Sequence, residues 1–204
     1  MSRLQTAFDA IDKANAADPH LDETGQPKEL LYGQRMTAEQ QALYPDASEA
    51  LQIACRGQHV ERWLLPRDAY PMDRPGYLAW RTEQGRRHAA RVAGIMREAG
   101  YDDEQIAQAE RMLTKQGIKR DAQVQALEDV ACFTFIRWYL GPFAETRDPQ
   151  ELHRIVEKTA RKMSSQARMI ALKEFDIPEP FAQAFRGLSL IHISEPHETR
   201  GNLV

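Results

Sequence analysis

The chain has 204 residues, enough for one sizeable domain, with 42% hydrophobic and 28% charged residues and a formal net charge of −3. This is an ordinary soluble composition, and its slight acidity argues against nonspecific DNA coating while leaving room for a local anion site. No apolar run approaches the roughly 20 residues that span a bilayer, so no membrane partner is expected. The N-terminus is polar from Ser2 and lacks a signal-peptide core. Cys55 and Cys132 sit in apolar-looking segments and form no close pair, which predicts reduced core thiols; with no signal or membrane segment, the expected location is cytoplasmic.

In chain order, residues 2–17 read as a helix with Leu4, Phe8 and Ile11 on one side. Asp18-Pro19 ends it, and a loop rich in turn formers leads to a second helix over 28–36. Pro45-Asp46 interrupts; Ser48 or Asp46 can cap a third helix reaching about residue 65, with Leu51, Ala54, Cys55, Gln58 and Arg62 on a common side. Pro66 stops it. Three prolines and a glycine then give residues 66–77 defined turns. The fourth helix, 77–99, carries His88 near its middle and ends at Gly100. Asp102 caps a fifth to about 115, closed by Gly117. A sixth, 121–140, has the stripe Val124, Leu127, Ala131, Phe135 and Trp138, and a seventh runs over 148–171. No alternation predicts a strand. The expectation is all-α: a single compact helical domain of about seven helices over residues 1–187.

Residues 188–196, Leu-Ser-Leu-Ile-His-Ile-Ser-Glu-Pro, break with what precedes and resemble the peptide produced when sequencing-adapter DNA is translated. Residues 188–204 are therefore expected to be a non-native or disordered tail, and His192 and His197 are set aside as ligands.

Residues 51–91 hold eight arginines (Arg56, Arg62, Arg67, Arg74, Arg81, Arg86, Arg87, Arg91), no lysine, and His59 and His88. Four acids among them leave a local formal charge of +4. Arginine alone suggests fixed forks aimed at phosphate or carboxylate. Structural ion pairs and stacked arginines are the alternative. Arg56, Arg62, Arg67 and Arg74, with Lys28 and Arg35, are the candidate phosphate-binding residues. Tyr70, Tyr77 and Trp80 can stack on a base or serve as hydrophobic anchors.

Glu128 falls within the apolar stripe, where a carboxylate needs a metal, a histidine or an arginine; Asp129 lies one position round, at the stripe's edge. A buried pair with an arginine is the structural alternative. Glu128 and Asp129 are the candidate catalytic carboxylates. If the helices bearing His59, His88 and Asp129 pack side by side, those three can hold a divalent metal (Mn, Fe, Co, Ni or Zn) and a water of lowered pKa. Each histidine alone can equally be a hydrogen-bonding helix residue.

Several runs resemble the DUF4202 family across about residues 3–175: Pro27 through Met36 (PKELLYGQRM), Gln58 through Trp63 (QHVERW), Pro66-Arg67, Tyr70 through Arg74 (YPMDR), Trp80-Arg81, His88, Leu127 through Cys132 (LEDVAC) and Lys158 through Ser164 (KTARKMS). The family's name implies no activity. A weaker likeness is to the all-α HD superfamily of metal-dependent phosphohydrolases. It matches His59 to the histidine of their His-Asp pair, His88 to a later helix histidine and Asp129 to their final aspartate, although Val60 follows His59 where that pattern has aspartate. Only His20 precedes His59. The resemblance implies a metal-dependent hydrolase of a nucleotide or other small phosphoester. The alternatives are a non-catalytic helical module for RNA or another anionic ligand, and a structural scaffold. Oligomeric state is left open.

Overall fold

Side-chain caps set most helix starts. In the computed structural model, which describes residues 1–179 and 181–190 with no side chains beyond 186, Ser2 accepts from the Gln5 amide and opens α1 (Arg3–Asn15). Ser48 accepts from Leu51 and opens α3 (Glu49–Arg56). Asp73 opens α4 (Arg74–Glu98), with Pro75 in its first turn. Asp102 opens α5 (Asp103–Leu113). Between them α2 spans Lys28–Leu43, and α6 spans Ala122–Thr134 after Asp121 accepts from Gln123 and Val124. A π-helical turn, Phe135–Tyr139, leads to α7 (Leu140–Glu145), α8 (Pro149–Lys162), α9 (Ser165–Glu174) and α10 (Phe181–Leu190). The fold is all-α. The described residues contain no strand, only an isolated bridge between Leu21 and Pro27.

The chain divides into two compact units, Met1–Thr134 and a second beginning at Phe135. In the first, Ile11, Ile53, Val92, Met96, Met112 and Leu127 meet in one buried apolar cluster drawn from α1, α3, α4, α5 and α6. Their removal from water is the main stabilising term. The second unit is built by α7 to α10. Arg168, buried in α9, donates to the Met163 carbonyl and so closes the end of α8.

The seven expected helices become ten among the described residues. α2 runs past Met36 because its polar positions turn inward: Thr37 donates to the Gly33 carbonyl and Gln40 to that of Tyr44, and both are buried. α3 stops at Arg56, nine residues short of the expected 65. Gly57 is its cap. A Cβ there would lie 2.5 Å from Val92 Cγ2, so only glycine permits α3 and α4 to approach. His59 consequently stands in a turn rather than on the helix expected to reach residue 65. Ser164 caps α9 and splits the helix expected over 148–171. The stripe of the sixth helix holds only as far as the π-turn: Val124 and Leu127 are buried, while Trp138 is 41% exposed. Of the expected tail, residues 191–204 lie outside the described residues, with His192 and His197 among them.

Candidate functional site

Trp80, Gln84 and His88 are spaced four apart on α4, which puts them on one face. Trp80 Nε1 donates to the Leu65 carbonyl at 2.9 Å, and Gln84 Nε2 donates to the carbonyls of Arg62 and Leu65, each at 3.0 Å. These bonds hold the segment after α3 against α4. Glu61 within that segment is left-handed, φ 54°, with its amide donating to Asn15 Oδ1 at 3.0 Å. The first turn of α2 supplies Glu29 and Tyr32. Asn15 donates its side-chain amide to the Glu29 carbonyl, and Asp18 accepts from the Glu29 amide.

His59 lies at the centre. Its Nδ1 is 3.1 Å from Glu29 Oε2. Tyr32 stacks on its ring, centroids 3.8 Å apart and planes 9° from parallel. The Arg62 Nη1 is 3.3 Å from Nδ1 and 3.4 Å from Nε2, a near-equidistance that sets the guanidinium against the ring's other face. The His88 ring is 6.0 Å from that of His59. His88 is buried, its backbone partner is the Gln58 carbonyl, and its Nε2 has no hydrogen-bond partner. Gln58 Oε1 is also buried without one.

The electrostatics follow from burial. Desolvation holds the His59 imidazole well below its ordinary range, helped by the charges of Arg62, Lys115 and Arg81. Burial first, then His59 and Arg62, lowers His88 to about 3. Desolvation raises Glu29 to about 7 against the opposing charge of Arg62. At neutral pH both imidazoles are uncharged, the form that ligates metals and accepts protons.

The remaining expected residues are dispersed. Glu128 is buried and paired with Lys115 Nζ, an ammonium where an arginine was expected. Asp129 is fully buried rather than at the edge of its helix, and accepts from Tyr44 Oη at 2.8 Å and Gln125 Nε2 at 2.9 Å. Glu29 and Tyr44 stand at opposite ends of α2, about 22 Å apart at 1.5 Å per residue. His59 and Asp129 are thus anchored at opposite ends of one helix, and the expected convergence of His59, His88 and Asp129 is not what the fold builds. Among the described residues no three His, Cys, Asp or Glu side chains form a metal-holding group.

The arginines separate into two kinds. Arg56 makes a two-pronged bond to Asp12 and packs over Phe8. Arg67 donates to the carbonyls of Tyr70, Pro71 and Asp73, so it shapes its own loop. Arg86 pairs with Glu83 and Arg91 with Glu61. Of the expected phosphate binders, Arg62 is one that touches a histidine. Lys28 and Arg74 are exposed at the first positions of α2 and α4, and Arg35 is half-buried two turns along α2. Sequence reasoning missed Glu29 and Arg81 as site residues. Thirty positions separate Glu29 from His59, and no spacing rule connects them. In the second unit a cavity of about 420 Å³, lined by Leu140, Leu152, Val156, Phe175 and Phe185 among others, is chiefly apolar and carries no histidine.

The model of the family described as a domain of unknown function (DUF4202) matches residues 5–184, and the chain belongs to that family. No curated protein and no solved structure matches it. No described helix is long and apolar enough to cross a membrane.

Proposed function

We propose that the first unit is a metal-dependent hydrolase of a nucleotide or other small phosphoester. The observation that carries this reading is a pair of uncharged imidazoles, His59 half-buried and His88 buried with an unpartnered Nε2. The residues fit a divalent ion (Mn, Fe, Co, Ni or Zn) through Nε2 of His59 and His88, because Glu29 and the Gln58 carbonyl each engage the rest of an imidazole, the support that metal-bound histidines usually have. Such an ion would supply Lewis acidity and a water of lowered pKa.

This chain's own groups do the remainder. An ionised Glu29 accepts the Nδ1–H of His59 and fixes the tautomer that leaves Nε2 as acceptor. Its pKa of about 7 also suits it to take and return a proton near neutrality. Arg62 offers its charge where phosphoryl oxygens gather negative charge. Glu128 neutralises Lys115 and limits the positive charge felt by a cation. Glu29 takes the part of catalytic carboxylate that was expected of Glu128 and Asp129.

A panel of p-nitrophenyl phosphate and nucleoside mono-, di- and triphosphates, with Mn²⁺, tests the reading. Glu29→Gln should lower turnover about 10- to 100-fold, as loss of a carboxylate supporting a metal-bound imidazole does, and His88→Ala should abolish it. Failure of the metal-loaded wild type to turn over any member would reject it. A second reading, a non-catalytic module for RNA or another anion, is favoured by Arg81 and Arg74, which are exposed and make no hydrogen bond or ion pair among the described residues. It needs no imidazole, so ligand binding would survive His88→Ala.

A further inference from the structure

The start of α4 and the loop before it carry exposed apolar side chains beside the histidine site: Leu64 at 54%, Met72 at 76%, Tyr77 at 42% and Leu78 at 53% exposure. Contiguous exposed apolar surface marks a binding site. The local backbone is built to present them. A Cβ on Gly76 would lie 2.1 Å from the Pro71 carbonyl oxygen, so the loop folds onto the first turn of α4 only because position 76 is glycine. Arg67, fixed by three carbonyls of that loop, holds its guanidinium 5.8 Å from the Tyr77 ring centre.

Tyr77 is linked to the imidazoles by a continuous series of contacts. Its ring is 6.0 Å from that of Trp80, Arg62 lies 5.2 Å over Trp80, and Arg62 touches His59. Trp80 is itself buried, with its N–H on Leu65, whereas Tyr77 is exposed. Arg81 joins the two ends: its guanidinium is 5.8 Å from the Tyr77 ring centre, and its charge also reaches His59. It has no hydrogen bond or ion pair of its own among the described residues. One surface therefore offers an exposed aromatic ring, two cations for an anion (Arg62 and Arg81) and the imidazoles, in that order.

We propose that the phosphoester acted on at this site is a free nucleotide, with its base seated on Tyr77 and its phosphate on Arg62 and Arg81. This rests on the phosphoester reading above and narrows it to substrates with a flat aromatic group. A sugar phosphate would satisfy the arginines and leave Tyr77 in water; a base satisfies both, since every nucleobase has a face to stack.

Calorimetric titration of AMP, ribose 5-phosphate and inorganic phosphate into the full chain and its Tyr77→Ala and Tyr77→Phe variants tests the proposal. AMP should bind about 10-fold or more tighter than ribose 5-phosphate, the weight of one stacked base. Tyr77→Ala should abolish that difference by weakening AMP alone, and Tyr77→Phe should keep it. Equal affinity for AMP and ribose 5-phosphate in the wild type, or equal weakening of both by Tyr77→Ala, overturns the base seat and leaves the phosphoester site standing. If none of the three binds, the phosphoester reading fails and the nucleotide with it. Self-association that Tyr77→Ala dissolves, without base selectivity, assigns the patch to contact between copies and also overturns the proposal.

Discussion

Glu29 and the two imidazoles pull stability in opposite directions as pH changes. The folded chain keeps the Glu29 proton up to about pH 7, whereas the ordinary value for the group is 4.5. Between those values the unfolded chain binds fewer protons, so this group's contribution to stability falls as pH rises. His88, lowered from 6.5 to about 3, and His59, lowered in the same direction, act oppositely: their contribution is complete above 6.5 and is lost as pH falls through the folded values. The summed contribution of these three groups is greatest near pH 6.5. Glu29→Gln removes one side of the balance. The stability of wild type minus that of the variant should fall between pH 4.5 and 8 by about 3 kcal/mol at most, since each tenfold difference in proton affinity between the folded and unfolded chain is worth about 1.4 kcal/mol. Urea unfolding across that range measures it, and a constant difference would show that Glu29 titrates normally. At this scale His59 and His88 were legible as histidines within an arginine-rich stretch. Glu29 was not, because its role depends on how the start of α2 meets a turn thirty residues later.

Asn15 ends α1 and ties it to two other segments, donating to the Glu29 carbonyl of α2 at 3.2 Å and accepting from the Glu61 amide at 3.0 Å. It is 1% exposed, so neither backbone group has water as a substitute. Asn15→Ala should cost about 2 kcal/mol or more, since each buried group left unpaired costs about 1–3 kcal/mol. It should also broaden the His59 resonances as Glu29 and the 58–62 turn lose their common anchor. Denaturation with a parallel imidazole NMR spectrum checks both, and an unchanged midpoint would contradict the account. Helix positions were largely readable because serine and aspartate caps announce them, as at Ser48, Asp102 and Asp148. The ends of α2 and α3 were not. Thr37 and Gln40 are buried polar residues that each donate to a backbone carbonyl of α2 or its cap, so hydrophobic periodicity passes over them. Gly57 reads as one residue inside a helix running to 65 until Val92 is seen against it.

On the scale of the molecule, the catalytic proposal concerns the first unit. The apolar cluster containing Ile53 and Met96 lies wholly within residues 1–134, and every proposed metal and phosphate contact lies there too. A fragment of residues 1–134 should therefore unfold cooperatively and keep the helical circular dichroism of its six helices. A fragment lacking a cooperative transition would show that the second unit is needed for the first to fold. The all-α class was visible in the sequence because caps and periodicity are local. The division at Phe135 was not, since the apolar stripe of α6 continues unbroken in sequence through the π-turn.

Elemental analysis of the untagged full chain, beside a His59→Ala/His88→Ala double variant, tests the central claim most directly. The account predicts near-stoichiometric Mn, Fe, Co, Ni or Zn in the wild type and its loss in the variant. Metal-free wild type whose melting temperature does not move when these ions are added back would contradict it.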